Sequence, residues 1–250
     1  MSARALVAGA GGFIGHHLVN KLVADGHVVR GVDIVEPEFA PTAAQEFELL
    51  DLRRWDNCLQ ATRGISHVYN LAADMGGIGY ITAYLADIAR NNSLINLHML
   101  EAARVNGVSR YFYSSSACVY PDYRQDEPTN EGLKEEDAYP AAPEEGYGWE
   151  KLYTEKMCQY YTADLGLETR VARFHNVYGS LGTYDGGKEK APAAICRKVA
   201  LANDGDEIEV WGDGLQTRSF MHVDDCVEGI HRLMLSSHSD PLNLGTDRMV

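Results

Sequence analysis

At 250 residues the chain is long enough to bury roughly three quarters of its unfolded surface, so a core of its own is expected. Its 45% hydrophobic and 23% charged content is that of an ordinary globular protein, and no stretch approaches the ~18 consecutive apolar residues of a membrane span. A net charge of −14 repels nucleic acid and anionic membrane, so neither is an expected partner.

The N-terminus runs straight into a strand, without the apolar core and cleavage site of a secretory signal. The five cysteines (Cys58, Cys118, Cys158, Cys196, Cys226) are widely spaced, with no Cys-x-x-Cys pair. That pattern argues for reduced thiols in a cytoplasmic protein and against a metal site or disulfide framework.

In chain order, β-branched apolar runs alternate with helix-length segments. Strands are predicted at 4–8, 28–33, 66–72, 110–116 and 168–174, with a further short strand ahead of Asp51, and helices at about 13–25, 81–105 and 147–165. Strands separated by helices imply parallel βαβ units, hence an α/β, doubly wound parallel sheet of the Rossmann kind. In such a sheet ligands bind beyond the carboxyl ends of the strands. The acid-rich segment 122–145, with Pro128, Pro140 and Pro143, reads as an exposed, solvated loop. After residue 176 the alternation weakens and glycines accumulate, which sets the expected division: residues 1–175 a dinucleotide-binding unit, residues 176–250 a smaller substrate-binding part, with 220–236 packing back on the first.

The first strand leads into Gly9-Ala10-Gly11-Gly12-Phe13-Ile14-Gly15 and then a helix. Glycines at 9, 12 and 15 let the backbone approach a pyrophosphate, while the helix start at Phe13 and Ile14 offers free N–H groups. Asp33 ends the second strand, where a carboxylate accepts ribose hydroxyls and repels a 2′-phosphate, so NAD rather than NADP is the expected cofactor. Asp51-Leu52 is placed near the adenine, although Asp51 reads equally as a helix N-cap. Leu71, Ala72 and Ala73 set small side chains beside the cofactor.

Tyr147 and Lys151 stand at i and i+4, on one helix face. A neighbouring ammonium, together with the cationic nicotinamide, is expected to lower the tyrosine's pKa toward that of a usable base. Ser116, at the end of the fifth strand, can hydrogen-bond the same substrate hydroxyl. Basic residues collect at Lys188, Lys190, Arg197 and Lys198, with Arg218 further on, as an anionic ligand would need in so acidic a chain. His175 is read as a packing residue, and His222, beside Asp224 and Asp225, as part of a helix start.

The blocks Gly9–Gly15, Asn70–Ala73, Ser114–Tyr120, Tyr147–Lys151, Arg173–Gly179 and Arg218–Asp225 resemble the extended short-chain dehydrogenase/reductases that act on nucleotide sugars. The blocks 70–77, Ser115–Cys118, Lys190–Ala194 and 211–218 are similar to the branch of that family that epimerises GDP-mannose. The resemblance implies that Ser116, Tyr147 and Lys151 oxidise the sugar transiently at C4, and that Cys118 and Lys190 are an acid/base pair inverting C3 and C5. GDP-L-galactose is the implied product, with a gulose isomer from inversion at C5 alone. It also implies sugar-nucleotide contacts by Gly76, Ser116, Cys118, Asn176, Glu189, Lys190, Lys198, Gln216 and Arg218, and a homodimer joined through the helices near 81–105 and 147–165. The family continues beyond the point where this sequence stops, so the substrate-binding part is expected to be incomplete. Simple 4-epimerisation, dehydration and a non-catalytic NAD-binding role stay open as alternatives. Ala117 and Cys118, where dehydratases of this fold carry an Asp-Glu pair, count against the second.

Overall fold

The computed structural model describes residues 3–124, 132–210 and 217–250. In chain order, β1 (Arg4–Ala8), α1 (Phe13–Ala24), β2 (Val28–Asp33), β3 (Glu46–Leu49), α2 (Trp55–Thr62) and β4 (His67–Asn70) form the first half. Then come α3 (Ile78–Ala83), α4 (Leu85–Val105), β5 (Arg110–Ser116), α5 (Tyr147–Leu165) and β6 (Glu168–Phe174). The remainder comprises β7 (Asn176–Tyr178), α6 (Ala191–Leu201), β8 (Phe220–His222), α7 (Val223–Leu235) and β9 (Leu242–Leu244).

Seven strands form one parallel sheet in the order β3-β2-β1-β4-β5-β6-β9. The strand order reverses between β1 and β4, whose carboxyl ends, Ala8 and Asn70, lie in register. That reversal opens a crevice for a ligand. Because side chains alternate along a strand, the sheet serves two cores. Leu6, Tyr111 and Tyr113 face α2, α4 and α5 with Val68, Met99 and Leu100. Val7 and Phe112 face the opposite way, toward Leu18 and Leu22 of α1 and Val227, Ile230 and Met234 of α7.

Two expectations change. The helix expected over 81–105 is two: Tyr84, at φ −125° and ψ 43°, leaves the helical region and separates α3 from α4. The acid-rich segment is not simply a solvated loop, since Ala138 is buried against Val119, Tyr120 and Leu152. There the Glu135 carbonyl also accepts from Arg173 Nη1 at 2.7 Å, and its carboxylate from the Asn243 N–H at 2.9 Å. Beyond residue 175, β9 adds to the main sheet beside β6, and α7 packs against α1. The parallel pair β7–β8 forms a separate two-stranded sheet whose Val177 and Met221 join the core of α1 and α7, while α6 buries none of its residues.

Candidate active site

The glycine turn between β1 and α1 is fixed from both sides. Gly9, at φ +85°, donates its N–H to the Val32 carbonyl at 2.9 Å, and a Cβ on it would meet the Leu71–Ala72 backbone at 2.9 Å. On Gly15 a Cβ would stand 1.9 Å from the Gly9 carbonyl oxygen, so only glycine allows α1 to start this close to the turn. Gly12 caps α1, which begins at Phe13 and Ile14. The Asp33 carboxylate accepts from the N–H groups of Gly11 (2.9 Å), Ile34 (2.7 Å) and Val35 (3.4 Å). Burial raises its pKa and these N–H groups oppose the rise. A glycine cradle, an open helix start and an acid fixed at the end of β2 fit an NAD dinucleotide. Gly11, overlooked beside its neighbours in the motif, is the residue that ties the turn to Asp33. Asp51 does not cap α2: Arg53 engages both its carboxylate oxygens, at 2.9 and 2.8 Å, and lowers its pKa, while Leu52 is buried beneath.

Next along the crevice lie the ends of β5 and α5. Lys151 is fully buried, donates to the Ser114 carbonyl at 2.8 Å, and holds its ammonium 4.8 Å from the Tyr113 ring centroid and 5.4 Å from that of Tyr147. Ser116 acts on the Tyr147 hydroxyl in the direction that favours its ionisation. Ser116 Oγ also accepts from the Cys118 N–H at 3.2 Å, which turns the chain so that Cys118 follows at the strand's end. Packing there is backbone-tight: a Cβ on Gly148 would sit 2.3 Å from the Cys118 carbonyl oxygen.

The protein groups by themselves do not lower the Tyr147 pKa. Burial raises it well above the ordinary value, and the Cys118, Glu150 and Glu144 charges add to the rise, while Ser116 opposes it. The Lys151 ammonium is directed at the Ser114 carbonyl instead, and burial lowers its own pKa. Burial likewise pushes the Cys118 thiol up to about 12, with Glu144 reinforcing and Ser116 and Lys190 opposing. Lys190 is exposed as a residue, yet the protein mass around its ammonium lowers its pKa. The site therefore rests with a protonated thiol and an amine inclined toward neutrality.

Lys190 reaches this cluster because segment 188–190 runs along Gly76–Gly77. The Gly77 N–H donates to the Lys188 carbonyl at 3.2 Å, and a Cβ on Gly77 would stand 2.8 Å from the Glu189 carbonyl oxygen. The Glu189 carboxylate is held by the Gly187 N–H at 2.7 Å and by Arg197 at 3.4 Å. Three other expected substrate residues turn to local carbonyls: Asn176 donates to Ser219 (3.2 Å), Lys198 to Glu209 (2.6 Å) and Arg218 to Thr217 (2.7 Å). Gln216 lies outside the described residues. His222 caps α7, accepting from the Asp224 N–H at 3.3 Å, and His175 pairs with Asn243 at 3.1 Å. Sequence reading passed over Glu144 and Glu150. The latter is buried and accepts from Asn92 (2.9 Å) and Asn96 (3.1 Å), which binds α4 to the start of α5.

The sequence model of the NAD dependent epimerase/dehydratase family matches residues 5–245. The chain belongs to that family. It is 53% identical to GDP-mannose 3,5-epimerase 1 of Oryza sativa subsp. japonica over 249 residues, covering 99% of this chain and 65% of the rice protein. To GDP-mannose 3,5-epimerase of Arabidopsis thaliana it is 51% identical, covering 98% of this chain and again 65% of the relative. Among solved structures, UDP-glucose 4-epimerase of Thermotoga maritima with UDP-glucose superposes with a TM-score of 0.83 at 26% identity, covering 99% of this chain and 78% of that one. The chain thus spans somewhat less than two thirds of the two plant relatives it matches.

Proposed function

We propose that this protein epimerises a nucleotide sugar, converting GDP-mannose to GDP-L-galactose by transient oxidation at C4, inversion at C3 and C5, and re-reduction. The observation that carries the reading is the grouping of Cys118 and Lys190 with Ser116, Tyr147 and Lys151 beyond the ends of β4 and β5. A 4-epimerase needs only the last three. Similarity to the plant 3,5-epimerases supports the same choice.

Gly9, Gly12, Gly15 and Asp33 would hold NAD, which supplies the hydride acceptor and later the hydride donor at C4, and a positive charge beside the tyrosine. Tyr147, aligned by Ser116, takes the proton of the C4 hydroxyl and returns it at the end. Lys151 fixes the helix face from which Tyr147 acts and keeps a positive charge beneath it. A ketone at C4 acidifies the hydrogens at C3 and C5, because each carbanion is delocalised as an enolate. Cys118 and Lys190 then remove and return these carbon protons from opposite faces of the ring, Lys190 resting with a lowered pKa and Cys118 as a thiol.

NMR of GDP-mannose incubated with protein and NAD in deuterated water tests this. Deuterium at C3 and C5 in a galactose-series product is expected. A protein that binds NAD yet exchanges neither position would overturn the substrate assignment.

The five free thiols support a reducing, cytoplasmic setting. A homodimer through the outer faces of α4 and α5 is supported by Leu94, Tyr153 and Tyr160, which are exposed there. Light scattering at the mass of a single chain would reject it.

A further inference from the structure

Cys118 faces a second acid that the reaction as drawn does not use. Glu144 sits three residues before Tyr147, in the turn that leads into α5. Its N–H donates to the Cys118 carbonyl at 3.0 Å, and its own carbonyl accepts from the Trp149 N–H at 3.3 Å. The Glu144 carboxylate raises the pKa of the thiol and the thiol lowers that of the carboxylate, so the two side chains act on one another. With the Glu144 N–H on the Cys118 carbonyl and Gly148 pressed against the same carbonyl, the two residues are held together by backbone. Glu144 is partly exposed. Its sequence neighbours Pro143 and Glu145 line an open cleft of about 340 Å³ with Asp122 and Trp149. The partial exposure of Glu144 gives it contact with water.

Resting on the epimerase reading above, we propose that Glu144 is the proton shuttle for Cys118: it accepts the thiol proton when Cys118 takes a proton from the sugar, and exchanges that proton with water. The step balances. The C–H bond breaks and its electron pair enters the enolate; a new S–H bond forms; the old S–H proton passes to a Glu144 oxygen. One negative charge moves from carboxylate to enolate, and no atom is oxidised or reduced. In the reverse direction Glu144 reprotonates the sulfur after Cys118 has delivered its proton to carbon.

The need for such a partner follows from the environment of the thiol. A group pushed up to about 12 is thiolate in only about one molecule in 10⁵ at neutral pH, too few for a base acting alone. Ser116 and Lys190 favour the thiolate, but burial and the Glu144 charge outweigh them. Glu144 itself is raised from its ordinary value, by burial first and by Asp122 besides, with Cys118 opposing. A carboxylate so raised is a better proton acceptor than one in water. A charge on Cys118 would raise the Tyr147 pKa further, and a sulfur that gains the sugar proton as it passes its own to Glu144 carries no charge.

The test combines two readouts on Glu144→Gln, which keeps shape and hydrogen bonding but cannot take a proton. Both use a Cys196→Ser background, because Cys196 is the exposed thiol of α6. The first is the pH dependence of Cys118 alkylation by iodoacetamide, read by peptide mass spectrometry. The second is deuterium uptake at C3 and C5 of GDP-mannose. Removing the carboxylate should shift the alkylation profile to lower pH, giving more thiolate, and yet slow uptake about tenfold or more. Glu144→Asp should recover part of the uptake.

More thiolate with slower exchange is what loss of a proton acceptor produces, and disturbed packing alone gives no such opposition. Unchanged or faster uptake in Glu144→Gln would overturn the proposal. So would an alkylation profile that does not move, which would show the two side chains uncoupled. If the parent shows no uptake while the profile does shift, the coupled pair stands and it is the substrate reading that fails.

Discussion

Arg173 and Glu155 are both buried, and they meet through two parallel contacts, Nε to Oε1 at 2.9 Å and Nη2 to Oε2 at 2.7 Å. Burial works against the guanidinium, but Glu155 and the Tyr120 hydroxyl more than restore its charge. Such a pair adds little net stability, yet breaking it strands a charge in the interior. Glu155→Ala should therefore cost about 3–5 kcal/mol, seen as a lower urea midpoint with unchanged slope. At the site itself, Tyr147→Phe removes the hydroxyl that carries the C4 proton and leaves the glycine cradle untouched. Turnover should fall by about 10²–10⁴, while NAD affinity, followed by fluorescence titration, stays within a few fold. A loss of NAD binding equal to the loss of rate would place Tyr147 in cofactor binding alone.

Legibility in the sequence differed by element. Strands β1, β2, β5 and β6 and helices α1 and α5 could be read from apolar runs and spacing, because buried parallel strands carry nearly continuous β-branched residues. The three-residue strands β7, β8 and β9 could not, since so short a run contains no period to detect. Of the site, the residues in motifs were readable. Glu144 was not, because only the turn into α5 brings it to Cys118, and in sequence it looks like one more acid in an acidic run.

The same contrast makes a pair of glycines informative. On Gly15 a Cβ meets backbone at 1.9 Å, whereas on Gly79, inside α3, it meets nothing within 4 Å. Gly15→Ala should push α1 from the turn and weaken NAD binding more than tenfold. Gly79→Ala should leave binding unchanged and stabilise by about 0.5–1 kcal/mol, the usual helix gain over glycine. Equal effects from the two would mean that the close approach of α1 to Gly9 is not what shapes the cofactor site.

For the whole molecule, part of the response to acid comes from histidines, chiefly those at the end of the sheet remote from the site. His67 begins β4, and His231 of α7 stacks edge-on against His27 at 5.7 Å; the Nδ1 atoms of all three are buried without a hydrogen-bond partner among the described residues. Burial lowers the pKa of His67, helped by Arg110, His27 and His231. It lowers that of His231 too, where Asp25 and Glu228 oppose and Lys21 and His27 assist. His16, on α1, is lowered by burial and by His17.

A histidine whose folded pKa lies below its unfolded value of 6.5 is neutral in both states at higher pH. As the pH falls below that value the unfolded chain binds the proton first, so stability declines down to the folded pKa. Asp33 and Glu150 act with the opposite sign: raised in the fold, they favour it as they take up protons, in a window nearer the ordinary carboxylate range. Relief of self-repulsion at a net charge of −14 also opposes the histidines. The histidine share is therefore read as a difference. Urea unfolding of the parent and of His67→Gln, from about pH 7 to about pH 5, should show the parent losing more stability, chiefly near pH 6. Parallel curves would mean that His67 titrates alike in the folded and unfolded chains, and that acid acts on this protein through its carboxylates alone.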